Sequence, residues 1–249
     1  MILLLDIGNT HTHLGLGNTK CVTRQANIAT QSWLDGSALS RIRKFAGKTP
    51  VTSVTLCSVV PRATKRALPA LQGLTRNVLE LTPRTLRGVG INYPKPNTIG
   101  PDRLANAVAV RFHFGAPAVV VDFGTAVTFD VVDRHGDYVG GIIAPGLEVM
   151  TDYLHEKTAL LPRITMRETN AVIGRNTREA MLIGAVQGYR GLIRALLSSL
   201  RKELACPNLP VVATGGYAKL MAQDMPEITA VNPRLTLEGL RLVAIAHAT

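Results

Sequence analysis

Two stretches of this 249-residue chain carry the same pattern of reactive residue types. Leu3-Leu4-Leu5-Asp6-Ile7-Gly8-Asn9-Thr10 and Val119-Val120-Val121-Asp122-Phe123-Gly124-Thr125-Ala126 each place an apolar run before Asp-x-Gly and a small polar residue. The run reads as a buried strand and Asp-x-Gly as the turn that ends it. Such a turn suits phosphate chemistry. Glycine lets the backbone approach an anion closely, and successive N–H groups in a tight turn form an anion-binding concavity. Asn9 and Thr10 add side-chain donors. A carboxylate repels phosphate, so Asp6 would hold Mg²⁺, directly or through water, and the metal would bridge the phosphates. Taken alone, Asp6 reads as a turn-forming Asx residue. Its duplication at Asp122 turns the balance toward phosphate.

A third glycine turn, Thr214-Gly215-Gly216, follows another apolar run. It could let an adenine ring or a ribose lie against the backbone, although Gly-Gly is also an ordinary turn. His11 and His13 alternate along a strand and could line the phosphate turn. A lone strand histidine more often has a structural partner, and neither these two nor His155 suggests zinc.

Strands that must position these residues are expected at Met1 to Leu5, Thr12 to Gly17, Lys20 to Arg24, Ser53 to Cys57 and Asn77 to Leu81. Further strands follow at Ala118 to Val121, Val127 to Val132, Tyr138 to Ile143 and Pro210 to Ala213. Helices are expected at Ala38 to Phe45, Arg62 to Leu71, Pro101 to Phe114, Leu147 to Thr158 and Pro233 to Ala248. Asn176 to Leu204 reads as one or two long helices with Gly184, Gly188 and Gly191 on a closely packed face. Leu86 to Gly100, with its Gly, Asn and Pro residues, reads as a loop. The two Asp-x-Gly turns lie nearly half the chain apart, which implies two similar α/β lobes rather than a solenoid. They divide as residues 1–115 and 116–249, with a cleft between them where ligands bind.

Composition narrows the partners. Lys and Arg total 28 against 17 Asp and Glu, a net charge of +11, which favours an anionic partner. The basic residues are scattered, with no block of five or six like charges. No helix-turn-helix, zinc finger or aromatic stacking platform is visible, so a nucleic acid is not the expected partner. The three cysteines, Cys21, Cys57 and Cys206, are far apart and fit free thiols in a reducing cytoplasm. The apolar N-terminus is cut short by Asp6, and no membrane span is expected.

Asp-x-Gly-x-Thr, Asp-x-Gly-Thr and Gly-Gly in this order resemble the sugar kinase, actin and Hsp70 superfamily. Within it, the chain looks like a type III pantothenate kinase. The residues that carry the likeness are Asp6 to Thr10, Gly100-Pro101-Asp102-Arg103, Asp122 to Ala126, Gly140-Gly141-Ile142-Ile143-Ala144-Pro145-Gly146 and Thr214 to Gly216. The likeness implies two ribonuclease-H-like (actin-like ATPase) lobes with a central cleft. It implies ATP-dependent phosphorylation of pantothenate to 4′-phosphopantothenate, and a homodimer.

Residue by residue, the likeness puts Asp6, Ile7, Gly8, Asn9, Thr10, His11, Thr12 and His13 around the ATP phosphates, with Asp6 near Mg²⁺. Thr125 would contact ATP, beside Gly215 and Gly216. Asp122 would bind K⁺ or NH₄⁺; read from its turn alone, it could equally be a second Mg²⁺ ligand or hold no metal. Gly100, Pro101, Asp102 and Arg103 would hold pantothenate, with Thr177 and Tyr93 as further contacts and Asp102 as the catalytic base. The chemistry agrees: a carboxylate positioned on a hydroxyl is the usual base in phosphoryl transfer to an alcohol, and Arg grips a carboxylate through two parallel bonds. Pro101-Asp102 is also what a stable helix N-terminus looks like. Pro101, at the variable position of Gly-x-Asp-Arg, has no N–H, so a substrate contact through that N–H, if the family makes one, would be missing here. The rival readings are another small-molecule kinase of the same superfamily and a non-catalytic regulatory accessory protein that binds nucleic acid.

Overall fold

The computed structural model describes residues 1–248. Its first strand, β1 (Ile2–Ile7), is aliphatic at every position except Asp6, and Leu3, Leu4 and Leu5 are fully buried. A strand covered on both faces reads as a continuous apolar run. The other strands of its sheet are β2 (His11–Gly17), β3 (Val22–Ala29), β4 (Ser53–Ser58) and β5 (Val78–Glu80), in the order β3-β2-β1-β4-β5. β1 runs antiparallel to β2 and parallel to β4, which in turn runs parallel to β5.

The connections carry α1 (Gln31–Leu34), α2 (Ala38–Ala46) and α3 (Pro61–Gln72). Ala38, Ile42 and Ala46 on α2, and Ala63, Ala67 and Leu71 on α3, are buried. That four-residue spacing lays one apolar stripe along each helix. Pro61 starts α3, where a missing N–H costs nothing. The third strand begins later than its sequence suggests. Asn18 Oδ1 accepts from the N–H groups of Lys20 and Cys21 at 2.7 and 2.9 Å, which holds the chain in a turn up to Val22.

β6 (Gly90–Ile91) and α4 (Pro101–Phe114) lead to β7 (Ala118–Phe123), β8 (Ala126–Val132) and β9 (Asp137–Pro145). Next come α5 (Leu147–Lys157), α6 (Thr177–Ile183), a wide helical turn over Gly184–Gly188, and α7 (Tyr189–Glu203). The chain closes with β10 (Val211–Thr214), α8 (Ala218–Ala222), β11 (Ala230–Val231) and α9 (Leu235–Ala248). The second sheet has the order β11-β10-β7-β8-β9-β6. Read outward from β7, its order β9-β8-β7-β10-β11 repeats the first sheet. β7 runs antiparallel to β8 and parallel to β10, as β1 does to β2 and β4. The sequence echo is therefore a repeat of topology, and both sheets have the ribonuclease-H-like arrangement.

Two compact units result. The first holds Met1–Ala116, His135–Gly140 and the C-terminal segment from Arg234; the second holds Pro117–Arg134 and Gly141–Pro233. The C-terminal segment joins the first unit because α9 packs on α4. A Cβ on Gly239 would stand 1.9 Å from the Ala105 carbonyl oxygen. Beside that crossing, Thr236 Oγ1 donates to Asn106 Oδ1 at 2.8 Å in a buried bond. Arg241 and Glu238 pair at 2.6 Å, and Glu238 also accepts from the Val22 N–H at 2.7 Å, tying α9 to the start of β3.

The glycines of the long helical stretch do not pack closely. A Cβ on Gly184, Gly188 or Gly191 would meet nothing within 4 Å. The buried face consists instead of Ala185, Val186, Tyr189, Arg190, Ile193 and Leu197. The wide turn at Gly184–Gly188 leaves the three glycines off the packed stripe.

Candidate active site

In the first unit the Asp-x-Gly turn joins β1 to β2. The Gly8 N–H donates to the His11 carbonyl at 3.0 Å, and Thr30 Oγ1 donates to the Gly8 carbonyl at 2.6 Å. Ile7 and Thr12 are fully buried. Thr12 Oγ1 is engaged by Thr30 Oγ1 and Trp33 Nε1, each at 3.1 Å. The outward residues of the turn are Asn9, Thr10 and His11. His13 Nδ1 lies 2.8 Å from Asn27 Oδ1, and His155 Nδ1 lies 2.8 Å from the Leu161 carbonyl.

Asp6 sits opposite His13 across the hairpin and beside Cys57 on β4. The Cys57 thiol donates to Asp6 Oδ1 at 3.4 Å. Burial pushes the Asp6 carboxyl above its usual value, while His13 and the Cys57 thiol pull it back. Cys57 is itself held well above the ordinary thiol value by burial, then by the charges of Asp6 and of Asp102. It is therefore a neutral thiol, bonded to the Asp6 carboxylate. Nothing in the local sequence around Cys57 marks it; parallel pairing of β1 and β4 brings it to Asp6.

Asp102 lies in the first turn of α4, after Gly100 and Pro101. Its Oδ1 accepts from the Arg103 N–H at 2.9 Å. A Cβ on Gly100 would come within 2.5 Å of that oxygen, so glycine leaves the carboxylate its place. The Arg103 guanidinium lies over the Tyr138 ring, 5.7 Å from its centre, and Tyr93 meets the same ring edge-on at 6.2 Å. The sequence pattern marks Tyr138 only as a strand residue.

In the second unit the β7–β8 turn repeats the first. Asp122 lies opposite Thr128 across the hairpin and beside Thr214 on β10. The Gly124 N–H donates to the Ala126 carbonyl at 3.1 Å. Gly215, at φ +89°, lies so close that a Cβ would come 2.5 Å from Asp122 Oδ1 and 2.7 Å from Phe123 backbone. At Gly216 a Cβ would meet nothing within 4 Å. The Gly146 N–H donates to the Thr125 carbonyl at 3.0 Å, and a Cβ on Gly146 would come within 2.2 Å of that oxygen. The glycine turns at 146 and 215 thus both close on Asp-x-Gly-Thr, with the Thr125 side chain left exposed.

Thr177 is exposed at the start of α6, where Asn176 Oδ1 accepts from the Glu179 N–H at 3.0 Å and caps the helix. The irregular segment before it is pinned from α7. Arg190, fully buried, donates to both oxygens of Glu168 at 2.8 and 2.6 Å and to the Leu220 carbonyl at 2.7 Å. The bonds from Arg190 hold the Glu168 carboxyl below its usual value. Among the described residues no helix is long and apolar enough to cross a membrane.

Two ribonuclease-H-like sheets, each with an Asp-x-Gly turn at the end of its first strand, define the actin-like ATPase and sugar kinase class. A candidate 2-dehydro-3-deoxygalactonokinase from Sinorhizobium meliloti shares this fold, with a TM-score of 0.61 over 100% of this chain and 99% of its own at 14% identity. The family model for type III pantothenate kinase matches residues 2–199. The type III pantothenate kinase of Akkermansia muciniphila is 44% identical over 242 residues, 97% of each chain. That of Methylacidiphilum infernorum is 40% identical over 243 residues, 97% of this chain and 87% of its own. The chain belongs to the type III pantothenate kinase family, transferases that phosphorylate an alcohol group.

Proposed function

We propose that this chain transfers the γ-phosphoryl group of ATP to the primary hydroxyl of pantothenate, the opening step of coenzyme A synthesis. The observation that carries the reading is the Cys57 thiol on Asp6 at 3.4 Å, with Asp102 of the same unit near enough for its charge to raise that thiol as well. A phosphate turn and a carboxylate at a helix start are the parts that transfer to an alcohol uses, because the reaction depends on positioning and charge. Asp102 accepts the proton of the attacking hydroxyl. Arg103 grips the carboxylate of pantothenate, and Tyr93, Gly100, Pro101 and Thr177 complete the acceptor set. The hairpin from Asp6 to His13, Thr125, Gly215 and Gly216 belong to ATP.

The residues fit the implied cations. The Asp6 carboxyl, raised by burial, gains from a cation beside it, which suits Mg²⁺. Bound there, Mg²⁺ supplies neutralisation of the phosphate charge. At Asp122, a strand-end carboxylate beside the Thr125 turn, K⁺ or NH₄⁺ would offset the repulsion between the carboxylate and the ATP phosphates.

ADP release with ATP, Mg²⁺ and KCl is expected only when pantothenate is added, and is expected to fall when Na⁺ replaces K⁺. Turnover with another acceptor but not with pantothenate would overturn the acceptor assignment. Equal rates in Na⁺ and K⁺ would remove the selective cation site.

The functional form is a homodimer. Ile143, Tyr153, Leu160, Val172 and Ile173, all in the second unit, are between 60% and 89% exposed. A second copy would remove such side chains from water. Sedimentation velocity at micromolar protein is expected to give twice the 26.7 kDa chain mass; a single species of chain mass would contradict it.

A further inference from the structure

Tyr138 is 1% exposed and has no part in the chemistry assigned above. It is the second residue of β9, in register with Ile91 of β6, and its carbonyl accepts from the Asn92 N–H at 2.9 Å. Two acceptor residues from separate segments lean on its ring. Arg103, from the first turn of α4, places its guanidinium 5.7 Å from the ring centre. Tyr93, from the loop before Gly100, meets the ring at 6.2 Å with the planes 62° apart. Gly140, two residues further along β9 at φ +131°, seats the Tyr93 ring; a Cβ there would already lie 3.5 Å from it.

An arginine side chain is long and flexible, and gripping a carboxylate freezes it. A ring face beneath the guanidinium restricts it before the substrate arrives, and such preorganisation appears as affinity. We infer that Tyr138 is the positioning residue of the acceptor site, orienting Arg103 and Tyr93 together for pantothenate. This rests on the proposed assignment of Arg103 and Tyr93 to the acceptor. Both ring contacts go to residues of the acceptor set, so the expected effect of losing the ring falls on the acceptor.

The test is steady-state kinetics of the full chain with pantothenate and ATP varied separately. Tyr138→Leu is expected to raise the KM for pantothenate about tenfold, the scale of a partly desolvated cation–π contact. The KM for ATP should stay within about twofold and kcat should be largely retained, because the orienting contact acts on binding. Tyr138→Phe keeps the ring face and should recover most of the pantothenate affinity that Tyr138→Leu loses. If Tyr138→Leu does not fold, Tyr138→Met fills the same space with a side chain that adapts to its surroundings. Arg103→Lys keeps the charge and loses the planar fork. In the double variant with Tyr138→Leu, the pantothenate KM should rise little beyond that of Arg103→Lys alone, because the ring acts through the guanidinium.

An unchanged pantothenate KM, or full additivity with Arg103→Lys, overturns the inference. So does a parallel change in both KM values and kcat, which would indicate a purely structural ring. A wild-type protein that turns over without any dependence on pantothenate overturns the functional reading itself. The two failures are therefore distinct.

Discussion

Asp102→Asn is expected to lower kcat by about 10²–10⁴-fold, the usual worth of a positioned base, which is about 2.7–5.4 kcal/mol of barrier. The substitution keeps the shape of the side chain and an oxygen that can accept from the Arg103 N–H, as Oδ1 now does at 2.9 Å. It removes the charge and the proton-accepting ability. Were Asp102 simply an acidic residue complementing the helix dipole, Asn would cost about 0.3–1 kcal/mol of stability and leave turnover alone. Single-turnover kinetics and a thermal melt on the same preparation separate the two. A melt close to wild type with a large fall in kcat identifies the base. An unchanged kcat removes Asp102 from the mechanism.

The local pieces of this site can be read in the sequence because they are written in contiguous residues. Gly100 before Pro101, and Gly115 after Phe114, bound α4 as a helix with proline at its start and glycine past its end. The two Asp-x-Gly turns announce themselves by repetition, and the repeat proves to be one of strand order. What sequence does not encode locally is which strand lies beside which. Cys57 reaches Asp6 through the parallel pairing of β1 and β4, 51 positions apart in sequence. Tyr138 reaches Arg103 because the start of β9 joins the first unit. Arg190 has the sequence profile of a surface residue on an amphipathic helix, yet its partner Glu168 lies 22 positions upstream in a segment with no periodicity. The short elements α8 and β11 span too few residues to show a period at all.

The position of α9 is likewise invisible locally, and it carries the second large expected effect. Gly239→Ala is expected to destabilise the first unit by about 3 kcal/mol, the upper end of overpacking costs. Helix propensity alone predicts the opposite sign, because Ala is better than Gly inside a helix by about 1 kcal/mol. The packing term wins because the clash is with backbone. A Cβ would stand 1.9 Å from the Ala105 carbonyl oxygen and 2.5 Å from its carbon, and a helical carbonyl cannot swing aside as a flexible side chain could. The two helices would have to part, opening the buried Thr236–Asn106 bond and the fully buried contacts of Leu104 and Leu240. α4 carries Asp102 and Arg103 on its first turn, so the same displacement reaches the residues proposed for the acceptor. Denaturant unfolding read alongside kcat/KM for pantothenate checks both consequences. A variant as stable as wild type would mean that α9 does not cross α4 at Gly239. A destabilised variant with wild-type kcat/KM would mean that the start of α4 is held by its neighbours in β4 and the preceding loop, and not by α9.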